Sequence, residues 1–322
     1  MTAGPDKPGE RDAVERAGPH GFRLTSDDER LLRGPVPARA LAWAARAVGD
    51  GARAVRSRAL AGGASSAVHA LTVLTGDGFL EELVLRRFVR GDWLAEEPDL
   101  ARHEAMALDV AAGCPVPTPR LVAVDEDGAE AGEPAVLMTR LPGATVWVPA
   151  EADPFLRTLA EILPAAHATP VAAGASLPDY APYRVMMRRA PRWATRPNVW
   201  SQAIELLDGP VPGDERLFVH RDYHPGNVLW KRDELTGVVD WVNASIGSAW
   251  ADVGHCRVNL AGALGQDAAD RFLELYRVAA GRDDHYHPYW DISAAIGGLD
   301  EDADDRPSPV DEDFLTAAVS QL

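Results

Sequence analysis

The sequence predicts an α+β protein of two lobes, the first an antiparallel sheet with a helix, the second mainly helical. Three observations carry this reading. Strand-like segments crowd residues 55 to 139 with one helical stretch among them. Helical patterns dominate after Pro142-Gly143. The few strand-like runs of the second half flank a loop that holds an acid and an amide five positions apart.

The elements follow in order. Residues 1–24, rich in Gly, Pro and charge, predict a mobile leader. A helix starts near Asp27 with Ser26 as cap, and a second spans Pro37 to Val48, with Pro in its first turn and Gly51 beyond its end. Strands are predicted over Val55–Ala61, Val68–Thr75 and Glu82–Val89, the last two joined by the turn Gly76-Asp77-Gly78. A helix over Asp99–Ala112 precedes strands at Leu121–Val124 and Ala135–Thr139. Residues 25–141 thus form the first lobe and 142–322 the second. In the second lobe, helices are predicted over Pro154–His167, Trp200–Leu207, Ala249–Leu264 and Ala268–Ala280. A strand at Leu217–His220 and a hairpin over Val228–Val239, turning at Arg232 to Gly237, interrupt them. Residues 300 to 313, with eight acidic side chains, predict a solvated stretch. An amphipathic segment, Phe314 to Leu322, closes the chain.

Bulk properties narrow the function classes. Hydrophobic residues make up 46% and charged residues 25% of 322, an ordinary globular balance with room for a ligand cleft. The net charge of -17 repels a phosphate backbone, so nucleic acid is not an expected partner, whereas a cationic ligand would be attracted. Cys114 and Cys256 have no metal-ligand spacing. No apolar stretch follows the N-terminus and no run of about 18 apolar residues occurs, so neither a secretory signal nor a membrane span is expected. A cytoplasmic monomer or homodimer is the expectation.

The chemistry concentrates in Phe218-Val219-His220-Arg221-Asp222-Tyr223-His224-Pro225-Gly226-Asn227-Val228. Phosphoryl transfer needs a carboxylate to orient the attacking hydroxyl and accept its proton, and hard oxygen ligands for Mg²⁺. Asp222 fits the first need and the Asn227 amide oxygen the second; the spacing matches H-R-D-x-x-x-x-N. Eighteen residues after Asp222, the strand Val238-Val239 ends in Asp240, an acid placed to hold a second face of the metal. One such acid alone could cap a turn; the two motifs in order, with hairpin spacing, point to a kinase.

These residues are similar to the catalytic loop of the aminoglycoside phosphotransferase and choline kinase family, H-G-D-x-H-x-G-N, met here at His220, Asp222, His224, Gly226 and Asn227. The likeness runs from about residue 55 to about 280. It implies a bilobal protein-kinase-like fold, ATP and Mg²⁺, and a small-molecule hydroxyl acceptor. Arg221 replaces the family's usual Gly. The resemblance places Arg86 where the family has its phosphate-holding Lys, paired to Glu104, with Arg87 as rival; strand alternation lets only one of the two face the cleft. It gives Gly62 to Ser66 as the phosphate-covering turn, with Ser65 and Ser66 as donors, and Thr139 and Leu141 as the backbone that holds adenine. It assigns His220 and His224 to brace the loop and Asp252 to anchor it. Trp241 and Asn243 are expected to shape the acceptor site.

Other enzyme motifs are missing: there is no P-loop, no G-x-S-x-G elbow, no full G-x-G-x-x-G and no A-P-E after Asp240. Asp283-Asp284-His285-Tyr286-His287 matches no standard metal spacing and is predicted to be an interhelical loop. The acidic balance and the resemblance favour a cationic, aminoglycoside-like alcohol. Kinases of macrolides, choline, homoserine or sugars are alternatives, and a non-catalytic nucleotide-binding regulator is the alternative of another class.

Overall fold

The computed structural model describes residues 16–17, 23–24, 26–60, 66–172, 176–183, 188–213, 215–297, 299 and 312–322. The predicted leader lies outside these, except that β1 (Arg16–Ala17) and β2 (Arg23–Leu24) pair antiparallel.

The first lobe forms where the sequence alternates. Strands β3 (Arg53–Ala59), β4 (Ala67–Leu74), β5 (Leu80–Arg87), β6 (Leu121–Asp125) and β7 (Ala135–Thr139) make an antiparallel sheet in the order β3-β4-β5-β7-β6. Side chains along a strand point to opposite faces by turns. On β5, Leu83 and Leu85 therefore join a core with Leu71, Val73, Leu137 and Trp43. Helices α1 (Ser26–Arg33) and α2 (Ala38–Val48) precede the sheet. Pro37 lies just before the first turn of α2, where a missing N–H costs no bond, and Gly49 ends it. Helices α3 (Gly91–Glu96) and α4 (Leu100–Ala111) connect β5 to β6. The other face of β5, with Val84 and Arg86, looks toward α4.

The second lobe is built on α5 (Ala152–His167), α6 (Pro197–Leu207), α7 (Ala249–Leu264), α8 (Gln266–Ala280), α9 (Tyr289–Ile296) and α10 (Glu312–Val319). Its short strands are β8 (Ala144–Thr145), β9 (Leu217–Val219), β10 (Val228–Lys231), β11 (Glu234–Val238) and β12 (Ser245–Gly247). They form two small sheets, β11-β10-β8 and β12-β9. The α7 helix runs through the lobe's core, burying Trp250, Val253, Cys256 and Leu260. No described helix is long and apolar enough to cross a membrane.

Three departures from expectation have physical causes. The β10–β11 turn is tighter than predicted: Lys231 pairs with Glu234, and Arg232 and Asp233 make the whole turn at φ 52 and 63. Two successive left-handed residues match the twist of a two-residue hairpin. Four elements carried no periodic signal: α3, β8, β12 and α9 are two to eight residues long, too short to show a period. Finally, Glu312 and Asp313 of the predicted solvated stretch open α10, where Glu312 accepts from the Trp200 indole N–H at 2.7 Å. The rest of that stretch lies outside the described residues.

Close packing of α7 on α9 rests on Gly254. A Cβ there would come within 2.5 Å of the Trp290 carbonyl oxygen. Gly254→Ala is expected to lower stability by about 1–3 kcal/mol, the usual cost of overpacking. At Gly262 a Cβ meets nothing within 4 Å, so Gly262→Ala should stabilise by up to about 1 kcal/mol. Urea unfolding midpoints of the two variants check the contrast.

Candidate active site

The loop between β9 and β10 folds back on itself through its own side chains. His224 Nδ1 accepts the Gly226 N–H at 3.0 Å, and residues 225–227 make one 3₁₀ turn. Gly226 is needed there, because a Cβ would sit 2.5 Å from the His224 ring and 2.7 Å from Trp147. The turn swings Asn227 under Asp222: its Nδ2 donates to the Asp222 carbonyl at 2.8 Å and to Asp222 Oδ2 at 2.9 Å. With Nδ2 so used, the Asn227 amide oxygen is the atom left to meet a cation. His220 donates from Nε2 to the Val239 carbonyl at 2.9 Å, tying the loop to the strand that ends in Asp240.

A second restraint comes from α7. The Asp252 carboxylate, fully buried, accepts the His220 N–H at 2.8 Å, the Arg221 N–H at 2.5 Å and His167 Nε2 at 2.9 Å. Arg221 is held at φ 68. A left-handed non-glycine residue costs roughly 1–2 kcal/mol, which explains why Gly is common in the related loop. Here the Arg221 side chain offsets that cost by donating to the Ala181 carbonyl at 2.6 Å and lying 4.3 Å from the Tyr183 ring centre.

Hairpin register brings Asp240 to the same place. Val228 lies opposite Val238, and the Val239 N–H donates to the Asn227 carbonyl at 2.9 Å, so Asp240 emerges beside Asn227. Asp240 is also left-handed, φ 70, a conformation Asp tolerates better than most. Its Oδ1 accepts from Arg86 Nη2 at 2.7 Å, while Arg86 Nη1 donates to Glu104 Oε1 at 2.7 Å. Arg86 and Glu104 are buried; Asp240 keeps about a quarter of its side chain exposed, 26%. Arg87, the rival, points to the opposite face and pairs with Glu133 at 3.1 Å.

Electrostatics follow from these contacts. Burial pushes the Asp222 carboxyl up, but the adjacent His255, with the nearby His224 and His220 rings, more than reverses this, holding it well below the usual carboxylate range. Burial also works against the Arg86 charge, yet Asp240 and Glu104 outweigh it and keep the guanidinium protonated. One cation shared by two carboxylates leaves an excess negative charge. Burial then pushes Glu104 up to about 7, with Arg86 opposing and Asp240 adding to the rise.

Residues 57–290 match the model of the phosphotransferase enzyme family. The chain belongs to that family. It is a small-molecule kinase whose acceptor group is a hydroxyl. Comparison with curated proteins gives no match. Among solved structures, it is similar to a putative aminoglycoside phosphotransferase from Ralstonia eutropha JMP134, with 19% identity, TM-score 0.58, and coverage of 88% of this chain and 98% of that one. It is similar to the apoenzyme of macrolide 2'-phosphotransferase MphH from Brachybacterium faecium, with 20% identity, TM-score 0.55 and the same coverages. A ternary complex of a thermostable mutant of aminoglycoside phosphotransferase APH(4)-Ia with ADP and hygromycin B aligns at 17% identity, TM-score 0.54, covering 84% of this chain and 92% of that one. At these identities the similarities bear on the fold, which is protein-kinase-like.

The remaining expected residues of this phosphotransferase fall into three groups. Residues 61–65, including Ser65, lie outside the described residues; Ser66 is buried and its hydroxyl has no partner among those described. At the hinge, Thr139 spends its N–H on the Arg120 carbonyl at 2.9 Å, whereas the Leu141 main chain makes no hydrogen bond to the described residues. Trp241 requires correction. It is 1% exposed, stacks on Phe218 with rings 5.2 Å apart, and donates its indole N–H to the Val238 carbonyl. The left-handed turn at Asp240 sends the next side chain inward, so Trp241 belongs to the core and cannot line an acceptor site. Asn243 is half-buried in a 3₁₀ turn packed against α4.

Sequence reading missed His255, which stands 2.9 Å from Asp222 Oδ1, and Trp147, whose ring lies 5.3 Å from that of His224. His255 had one available signal: it follows Asp252 by three positions on α7, which puts both on one helix face.

The Glu104 pair yields a signed pH prediction. A carboxyl raised from 4.5 to about 7 contributes stability that is full below pH about 4.5 and is lost as pH rises through 7. Glu104→Gln abolishes that loss, so its stability relative to the parent should improve from pH 5 to pH 8 by about 1–3 kcal/mol. Urea midpoints of both proteins across that range test this; parallel curves would remove the shifted group from the account.

Proposed function

We propose that this phosphotransferase moves the γ-phosphoryl group of ATP, with Mg²⁺, onto a hydroxyl of a small cationic molecule of the aminoglycoside type. The observation that carries the reading is the direct Asn227–Asp222 contact beside the strand end that delivers Asp240. In this reading residues 25–141 hold the nucleotide, and 142–322 supply the catalytic loop and the acceptor site.

The donor set fits the proposed ligands. The Asn227 amide oxygen and the free Asp240 oxygen are hard donors of the kind Mg²⁺ takes. The unpartnered Ser66 hydroxyl follows the glycine-containing residues 62–65 in sequence, and a phosphate oxygen would satisfy it. The unbonded Leu141 main chain supports adenine contact at that residue, and with its N–H used Thr139 would contribute through its carbonyl. Arg86 would carry its charge to the phosphates, still steadied by Glu104. Bound Mg²⁺ would neutralise the charge on the transferred group.

Asp222 accepts the hydrogen bond of the acceptor hydroxyl, aims its oxygen along the line of transfer, and takes its proton as the new P–O bond forms. A carboxylate held well below its usual range is a weak base. Its main service is therefore orientation, with proton uptake late in the step. The cationic acceptor is supported by the net charge of -17 and by the aminoglycoside phosphotransferases among the similar structures. A kinase of a macrolide or another small alcohol is the neighbouring reading, since a macrolide phosphotransferase is equally similar in fold.

A nucleotide-consumption assay over a panel of hydroxylated amines and macrolides tests the acceptor class. Asp222→Ala is expected to lower turnover by about 10²–10⁴-fold while nucleotide affinity stays near that of the parent. Retention of most turnover would remove Asp222 from the role of base. Asp240→Ala is expected to abolish the Mg²⁺ dependence of nucleotide binding, read by calorimetry with and without the metal.

A further inference from the structure

The Asp222 carboxylate has two oxygens to be held, and only one is fixed from its own loop. Oδ2 takes the Asn227 amide at 2.9 Å. Rotation about the last torsion of Asp is broad, so one contact leaves the plane of the carboxylate loosely set. His224 does not close the second side: its Nε2 is 3.6 Å from Oδ1, beyond a hydrogen bond. His255 Nε2 is 2.9 Å from Oδ1, within reach of a hydrogen bond that a small rotation of either group would align, and it has no hydrogen-bond partner among the described residues.

The three side chains could suggest a metal site, since Asp222, His224 and His255 offer ligand atoms within 4.8 Å of one another. The hydrogen bonding of His224 argues otherwise. Its Nδ1 accepts the Gly226 N–H, so the neutral ring carries its proton on Nε2, the atom that would have to ligate. Likewise, a bare His255 nitrogen facing a carboxylate oxygen would set two lone pairs against each other at 2.9 Å. A ring that carries a proton on Nε2 removes that repulsion with no ion needed.

We propose that His255 is a positioning residue for Asp222, its Nε2–H holding Oδ1 so that the remaining lone pairs face the acceptor hydroxyl. This rests on the reading of Asp222 as the base. Helix α7 supports the role through its geometry. Asp252 and His255 lie three residues apart on one face, so the same rigid element grips the loop backbone at residues 220 and 221 and the catalytic side chain at 222. The His255 ring is 22% exposed, so most of it is enclosed by the protein.

The test measures kcat and both KM values for the full-length protein and four variants. His255→Ala is expected to lower kcat by about 10–100-fold, the usual cost of a slightly misplaced reacting group, with both KM values within about twofold of the parent. His255→Phe keeps the ring volume without the N–H, should remain folded, and must lose the same turnover. His255→Gln returns a donor at a similar reach and should recover kcat to within about threefold. Asp222→Asn separates the two ideas. If it is inactive while His255→Phe turns over like the parent, the positioning role is wrong and the base stands. If Asp222→Asn stays active, the base assignment itself fails. Loss of kcat in His255→Phe without recovery in His255→Gln would reduce His255 to packing and overturn the proposal.

Discussion

The site depends on one buried carboxylate. Asp252 takes three donors, the main-chain N–H groups of His220 and Arg221 and the His167 ring, in a place with no access to water. A buried charge is tolerable only when its hydrogen bonds are complete. The converse matters equally: the two loop N–H groups point inward because that charge is there to receive them. Their direction forces the left-handed turn at Arg221, and the turn sets where Asp222 leaves the chain. A carboxylate on a core helix thus fixes the position of a second carboxylate in the cleft.

The second organising contact joins the lobes. Arg86 comes from the sheet, Glu104 from the neighbouring helix and Asp240 from the far lobe, and the guanidinium fork reaches both acids at 2.7 Å. A lysine offers a single point charge and could not hold two carboxylates in this planar arrangement. An Arg at this strand position, where the resemblance places Lys, therefore holds both acids at once. The His103 ring, 2.7 Å from the Ala244 carbonyl, docks the same helix on the segment just after Asp240, so the two lobes meet through α4 as well as through the ion pair.

Much of this was legible because spacing encodes it. The five-residue step from Asp222 to Asn227 is one tight turn, and the strand-turn-strand pattern that follows can only return the chain to Asn227's side, which brings Asp240 along. The alternation on β5 separated Arg86 from Arg87 for the same reason. What could not be read depends on direction rather than spacing. Trp241 adjoins Asp240, and adjacency suggested the cleft; the backbone torsion at Asp240, invisible in the sequence, turned it into the core against Phe218. His255 was hidden because its partner is 33 positions away and meets it only through helix packing. The short elements α3, β8, β12 and α9 were missed because a few residues cannot display a period.

Arg221 shows how the loop's own sequence reaches the wall beside it. Glycine would occupy φ 68 without strain, and an arginine there must recover roughly 1–2 kcal/mol elsewhere. It does so on the segment 176–183: the guanidinium donates to the Ala181 carbonyl and lies 4.3 Å from the Tyr183 ring centre and 5.6 Å from that of Tyr180. That segment is itself stitched to β12, with the Tyr180 N–H donating to Ile246 and the Ile246 N–H to Pro178. Gly247 makes room for it, since a Cβ there would fall 2.4 Å from Tyr180 Cβ. The residue immediately before Asp222 is therefore spent on building the neighbouring wall, and the strain in the loop is balanced by contacts that a glycine could not make. Loop and wall are in this way one mechanical unit. Replacing the arginine by glycine would relax the backbone at 221 and, by the same change, release the segment that flanks Asp222.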